Sequence, residues 1–253
     1  MDEGEEPMVK ERTIYPIPLV ALVGRGEKSK FTHMTFQGED VRFGYYAWYV
    51  EDDGKKILID AGGTAEMALG FGRPPETVTH IQTLPEGLAK LGVKPEEIDI
   101  LILTHLHLDH IAYVREFPNA RILVQKVEVE FAKNPHPMDR FYDFSAVEGL
   151  DMEILDGDAQ ITSHIRVMLT PGHTVGGQSV ILESEAGNVV VTGFCCIEDN
   201  FHPEKANSKL EVIVPGLHHD VFVAYDSMLK VKSVADIIVQ NHEAKFADIP
   251  SIP

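Results

Sequence analysis

Three histidines and an aspartate fall within six residues of this chain: His105, His107, Asp109 and His110, in the run Thr104-His-Leu-His-Leu-Asp-His110. Imidazole and carboxylate at that density suit zinc, iron or manganese. The preceding residues Ile98 to Leu103 are apolar and rich in isoleucine and leucine, and they read as a short buried strand. The cluster therefore sits at a strand's end. His105 and His107 are two apart, so in extended backbone their rings face the same side and can share one ion. Asp109 and His110 follow where the chain turns toward a helix. One histidine beside a strand is usually a core or surface residue; four metal-binding side chains together outweigh that reading.

A catalytic ion needs at least three protein groups and an open position. Three later segments each end a strand with a candidate ligand. Arg166 to Leu169 runs into a Pro171-Gly172 turn that presents His173. Asn188 to Thr192 is followed closely by Cys195 and Cys196, and Ala235 to Asn241 leads to His242.

The patterns Thr104-His-x-His-x-Asp-His110 and Thr170-Pro-Gly-His-Thr174, with a last strand ending in His242, resemble the metallo-β-lactamase superfamily. Ile57-Leu-Ile-Asp60-Ala-Gly-Gly63 is similar to that family's early motif. Chain length and the stretch from Gly70 to Ile98 look most like the N-acyl homoserine lactonase group. The resemblance implies an α/β fold, a four-layer αββα sandwich. It also implies two divalent ions, zinc foremost and iron or manganese as alternatives. His105, His107 and His173 would hold the first ion, and Asp109, His110 and His242 the second.

Where such proteins carry a bridging aspartate, this chain has Phe194, which cannot ligate a metal. Three outcomes follow. Cys195 could swing in as a thiolate, a good zinc ligand that the metal itself deprotonates. Alternatively, only Asp109 and a hydroxide or water join the ions, or the second ion is weakly held or missing. Free cysteines are ordinarily small buried residues. Successive side chains of an extended segment face opposite ways, which favours Cys195 over Cys196.

The activity the resemblance implies is hydrolysis of a small carbonyl substrate, foremost a lactone or related cyclic ester or amide, by metal-bound hydroxide formed near neutral pH. Asp109 would ligate the second ion and hold that hydroxide in line. Tyr142 and Tyr225 are candidates to polarise the carbonyl. Alternatives are thioester hydrolysis of the glyoxalase II kind, di-iron redox chemistry, and a non-catalytic metal or ligand sensor.

Composition agrees with a globular hydrolase: 44% of the 253 residues are hydrophobic and 25% charged. The expectation is a single domain over residues 1–253, with residues 1–8 mobile. No run approaches a membrane span, and the N-terminus is acidic where a secretory signal would be basic and then apolar. Two adjacent cysteines make no disulfide framework. These features point to the cytoplasm. A formal charge of −18 excludes nucleic acid as a partner, since phosphate binding needs a basic groove. Averaged over the surface it favours a neutral or cationic small molecule, although local fields near the metals could still attract a carboxylate. A homodimer is left open.

Strands are expected near Tyr15 to Val23, Phe43 to Glu51 and Lys56 to Asp60, with a hairpin turn over Glu51 to Lys55. Further strands are expected near Arg121 to Val124, Glu153 to Leu155, Ile165 to Thr170, Gln178 to Glu183 and Asn188 to Thr192. Helices are expected at Leu84 to Leu91, His110 to Glu116, Lys126 to Lys133 and Asp220 to Ser233. The irregular segment Asn134 to Gly149, with Phe141, Tyr142 and Phe144, reads as a substrate-covering loop. Phe201, His202 and Pro203 are expected at the mouth of the site. His33, His80, His136, His164, His202, His218 and His219 match no motif and are expected not to ligate.

Overall fold

The computed structural model describes residues 9–253, and the expectation for residues 1–8 lies outside it. Seven strands form the first sheet: β1 (Tyr15–Gly24), β2 (Val41–Asp52), β3 (Lys55–Ile59), β4 (Val78–His80), β5 (Ile100–Ile102), β6 (Arg121–Gln125) and β7 (Met152–Leu155), in the order β4-β1-β2-β3-β5-β6-β7. The second holds β8 (Ala159–Gln160), β9 (Ile165–Leu169), β10 (Gln178–Ser184), β11 (Gly187–Val191) and β12 (Ile237–Val239), in the order β12-β11-β10-β9-β8. Helices α1 (Ala65–Gly70), α2 (Leu84–Lys90), α3 (Leu108–Ile111), α4 (Lys126–Ala132) and α5 (Val221–Val234) complete the framework.

The period of two along each strand divides the core into layers. On β2, Trp48 and Val50 join Ile57, Ile59, Ile102, Val167, Val180 and Val191 between the two sheets. Tyr45, Ala47 and Tyr49 point the other way, under α1, α2 and α4 with Ala68, Leu88 and Val129. On β10 and β11, Ile181 and Val190 face out beneath Met228 and Val231 of α5. Strands buried on both faces explain why their sequences read as unbroken apolar runs. The result is the αββα sandwich expected from the sequence.

The β2–β3 turn takes positive φ at Asp53 (53°) and Gly54 (65°), the two-residue hairpin that suits strand twist. The helix expected over His110 to Glu116 is instead the four-residue α3 and a separate 3₁₀ turn at Val114–Glu116. Its continuation is diverted because Ala112 N–H donates to Gly62 O (2.9 Å) and Tyr113 N–H to Ala61 O (3.1 Å). Asp220 proves to be the cap of α5, accepting from Phe222 and Val223 amides, rather than its first residue.

β3, β5, β6 and β7 run parallel, as do β11 and β12, so the C-terminal ends of these strands gather at one edge of the sandwich. The sheets are joined there by Gln178, whose N–H donates to Thr104 O (2.9 Å) and whose side chain donates to Leu103 O (2.7 Å). Gly193 permits this closeness: a Cβ there would lie 2.1 Å from Gln178 O.

Candidate metal centre

Residues beyond β5, β9 and β12 converge at this edge. His105 and His107 lie in the turn between β5 and α3, Asp109 and His110 on α3, His173 beyond β9, and His242 beyond β12. The donor atoms form two trios, His105/His107/His173 and Asp109/His110/His242, each with its atoms within 4.8 Å of one another. Asp109 Oδ2 is 3.9 Å from Nε2 of both His110 and His242. The trios meet where the His105 and His110 ring centroids are 4.0 Å apart.

Partners on the far side of each ring fix its protonation. The single hydroxyl proton of Thr104 goes to the Asp60 carboxylate (2.8 Å), so its oxygen accepts from His105 Nδ1–H (3.0 Å). His173 Nδ1–H donates to Leu217 O (2.8 Å), His242 Nδ1–H to Gly44 O (3.0 Å), and His110 Nδ1–H to Asp60 Oδ2 (2.7 Å). In neutral imidazole the other nitrogen is then a lone pair. His105 Nε2 is buried without any hydrogen-bond partner, an arrangement that is costly unless a cation completes it. His107 differs. Its Nε2 is also unpartnered, and its nearest carboxylate is Asp139 Oδ1 at 3.5 Å. The donor set and these directed lone pairs fit divalent metal ions.

Burial and neighbouring imidazoles push His105 and His173 well below the ordinary histidine range, and burial pushes His242 down to about 4. These rings are neutral at neutral pH, the form in which imidazole can ligate a metal. Burial works against a charged His110 as well, but the carboxylates of Asp60 and Asp109 hold its pKa above the usual value. Burial would raise Asp109, yet the facing His110 and His242 keep it low and ionised.

Two buried carboxylates brace the ligands. Asp60 leaves β3 with φ 59°, a left-handed conformation that aspartate tolerates better than most residues. It also accepts from the Thr104 amide (2.7 Å) and the Asn241 side chain (3.4 Å). Glu128 of α4, fully buried, accepts from Leu106 N–H (3.0 Å), Gly176 N–H (2.8 Å) and Tyr142 O–H (2.6 Å). It thereby ties the loops of His107 and His173 to one helix. Nothing in the local sequence marks Glu128; only its place on an otherwise apolar helix face hints at a partner. Gly172, at φ 121°, admits the turn before His173, where a Cβ would meet Ala224 N at 2.2 Å.

Phe194 is fully buried beneath α5 with Cys196, whereas Cys195 faces the other way. Cys195 lines both a small space of about 40 Å³ between the trios and the larger cavity outside it. Neither trio includes its sulfur. Burial and the nearby Asp109 push its thiol well above the ordinary range, so without metal it is protonated.

The larger cavity, about 530 Å³, is walled in part by Phe43, Tyr45, Phe71, Arg73 and Phe141. Of the aromatics in the segment Asn134 to Gly149, Phe141 lines this cavity, 5.4 Å from both the Phe71 and His107 rings. Phe144 packs on the outer core, and the Tyr142 hydroxyl is held by Glu128. Tyr225 lies at the α5 face, its oxygen near Glu211 N (3.5 Å). The Tyr142 ring packs on that of His107, with centroids 4.7 Å apart, but its hydroxyl is committed to Glu128, and neither of these two tyrosines lines the cavity. Tyr45 does: it shares the cavity wall with Asp109, and its ring is 6.3 Å from that of His242. The alternation along β2 puts it beside Phe43, a weak signal without the fold.

Phe201, His202 and Pro203 do not line the cavity. Phe201 packs against the α5 core, and His202 turns to Glu198 and Glu204. None of the seven unmatched histidines belongs to either trio. His164 instead joins Asp52 and Asp53 in a separate cluster at the β2–β3 turn, where its Nδ1 is 2.9 Å from Asp52. Among the described residues no helix is long and apolar enough to cross a membrane.

Residues 41–193 match the metallo-beta-lactamase superfamily. An N-acyl homoserine lactonase of a Bacillus species is 27% identical over 207 residues, 78% of either chain. A probable metallo-hydrolase of Methanocaldococcus jannaschii is 32% identical over 158 residues, 62% of this chain and 63% of that protein. Among solved structures, an N-acyl homoserine lactone hydrolase with the product N-hexanoyl-L-homoserine at its catalytic metal centre superposes with a TM-score of 0.74. It is 22% identical over 95% of this chain and 96% of that one.

Proposed function

This chain belongs to the metallo-beta-lactamase superfamily and is a metal-dependent hydrolase, and from that premise we propose that it opens a lactone or related cyclic ester or amide. The observation that carries the reading is the set of four imidazoles whose Nδ1–H groups are taken by fixed acceptors, so that their Nε2 atoms converge as lone pairs, that of His110 once its second proton has left. His105, His107 and His173 would hold one divalent ion and Asp109, His110 and His242 a second. Zinc suits this nitrogen-rich set best. Such ions supply Lewis acidity and ionise water near neutral pH.

The chain's own groups do the rest. Asp60 holds His110 in one tautomer and supplies negative charge beside the second trio. Tyr45 is kept protonated because burial, then Asp109, push its pKa far up. Its phenol can therefore donate to an oxygen that gains negative charge as the carbonyl is attacked. Phe43, Phe71 and Phe141 present apolar surface to the remainder of the substrate and limit water around it. Asp109, facing both His110 and His242, orients the groups on that side.

The test is metal content per chain on protein purified without added metal, with pH-stat assays on γ-lactones, a cyclic amide and an acyl thioester. About two equivalents with lactone turnover is the expected result. Thioester turnover with lactones inert would replace the ring-opening reading with a thioesterase one.

A further inference from the structure

The wall of the larger cavity is charged unlike the chain as a whole. Acidic residues number 40 against 22 lysines and arginines. Around the cavity the balance inverts: Arg25, Lys30, Arg73 and Arg140 face it, against Glu27 and Asp109. Asp109 belongs to the second trio. Glu27 is already engaged by two of the cations, Arg73 Nη1 at 3.0 Å and Lys30. Arg25 and Arg140 lie on opposite sides in sequence, one just past β1 and one in the segment before Phe141, and make no ion pair among the described residues.

The spacing of these charges from the ligands is set by Phe43. Arg73 Cζ lies 4.7 Å from the centroid of its ring, and the ring of His242 lies 6.4 Å from it. The same wall thus offers a ligand of the second trio, a phenyl surface, and then a guanidinium. A molecule whose carbonyl reaches His242 would lay a short apolar spacer along Phe43 and bring its far end among the arginines.

We propose that the substrate carries an oxyanion, carboxylate or phosphate, separated from its scissile carbonyl by a short apolar spacer and bound by Arg73, Arg25 and Arg140. The proposal rests on the reading of the site as a hydrolase of cyclic esters or amides and names the substrate's second recognised group. Guanidinium forks match carboxylate and phosphate oxygens in pairs. Positive groups clustered in a cleft with apolar walls focus the field there, although the surface as a whole repels anions. The expectation of a neutral or cationic ligand from net charge alone is reversed locally.

The experiment uses metal-loaded protein and three γ-lactones alike except at the end of the side chain: a carboxylate, a phosphate or a carboxamide. The expected result is kcat/KM about tenfold higher for one or both anionic probes than for the amide. Whichever anion is favoured identifies the source. That ratio should fall toward one in the double variant Arg25→Gln/Arg140→Gln and in 0.5 M salt. Both positions are exposed, and Arg73 is left in place because it holds Glu27. An equal rate for the amide, or a preference unchanged in the double variant, would overturn the proposal; the second result would assign the attraction to charges other than Arg25 and Arg140.

Calorimetric titration with the ring-opened forms of the three probes separates this idea from the hydrolase reading. Anion-selective binding lost in the double variant, without turnover of any lactone, would uphold the oxyanion site and refute ring opening. Binding without selectivity would refute the oxyanion site whatever the turnover.

Discussion

The two trios of donors are built from the same residue types yet are supported differently. In His105/His107/His173 the two ring hydrogen bonds are to neutral oxygens, the Thr104 hydroxyl and the Leu217 carbonyl. In Asp109/His110/His242 one ring is bonded to a buried carboxylate and another carboxylate is itself a member. In the first trio burial keeps His105 and His173 neutral, and without a cation the buried Nε2 atoms of His105 and His107 are unpaired. In the second, the carboxylates of Asp60 and Asp109 favour the protonated form of His110, which offsets part of their charge when no cation is bound. The difference teaches that a cation would complete the first group, whereas in the second it would have to displace a proton.

Replacing His105 with Ala should cut kcat/KM on the order of a thousandfold, as loss of a principal charge-stabilising group does. Elemental analysis should show the first equivalent of metal lost. Retention of full metal and rate would break the comparison outright. Next in size, Asp60→Asn should weaken the second equivalent about 10- to 100-fold, a range typical of lost ligand-orienting carboxylates. An amide brings no negative charge to His110 Nδ1–H and would set its NH2 against the Thr104 backbone N–H, so the hold on the His110 ring is loosened. Competition with a metal indicator reads this directly. Equal weakening of both equivalents would mean that the trios act as one unit.

The metal-free protein should show the corresponding pH dependence. The pKa of His110 is raised on folding, so its pairing with Asp60 contributes stability that is fully present below the unfolded value of about 6.5 and is lost as pH rises through the folded value. Urea unfolding of apo protein from pH 5.5 to 8.5 should show that decline, and Asp60→Asn should flatten it. Metal uptake by the second trio should strengthen over the same interval, because the competing proton leaves. The smallest effect concerns the cysteines. Cys195→Ser should lower retention of the second equivalent severalfold if its sulfur turns inward, while Cys196→Ser should leave it and cost about 1 kcal/mol of stability by placing a hydroxyl in the core. Identical metal content in both variants would remove Cys195 from the comparison.

Much of this was legible in the chain because the determinants are local. The His105 to His110 cluster, the turn before His173 and the approach to His242 each combine an apolar strand with a candidate ligand at its end, and the strand expectations differ from the structure by a residue or two. The alternation that separates Cys195 from Cys196 is equally local. What stayed hidden depends on contacts distant in sequence. The helix after His110 is broken by carbonyls of residues 61 and 62. Tyr142 is drawn to Glu128, and Tyr45 is brought to the cavity only when β2 lies against the last strand's loop. Net charge, an average, gave no sign of the arginines around the cavity.

The orientation of Phe194 limits what a single substitution can do at this position. Its side chain lies in the core under α5, on the face away from the cavity. Substituting aspartate there would not restore a bridging carboxylate. It would remove a phenyl group worth about 3–5 kcal/mol of packing and bury a charge besides. The backbone would have to turn over first, moving Cys195 out of the cavity wall as it did so. Single substitutions that alter the chemistry of the site must therefore fall on residues that face the cavity, such as Cys195.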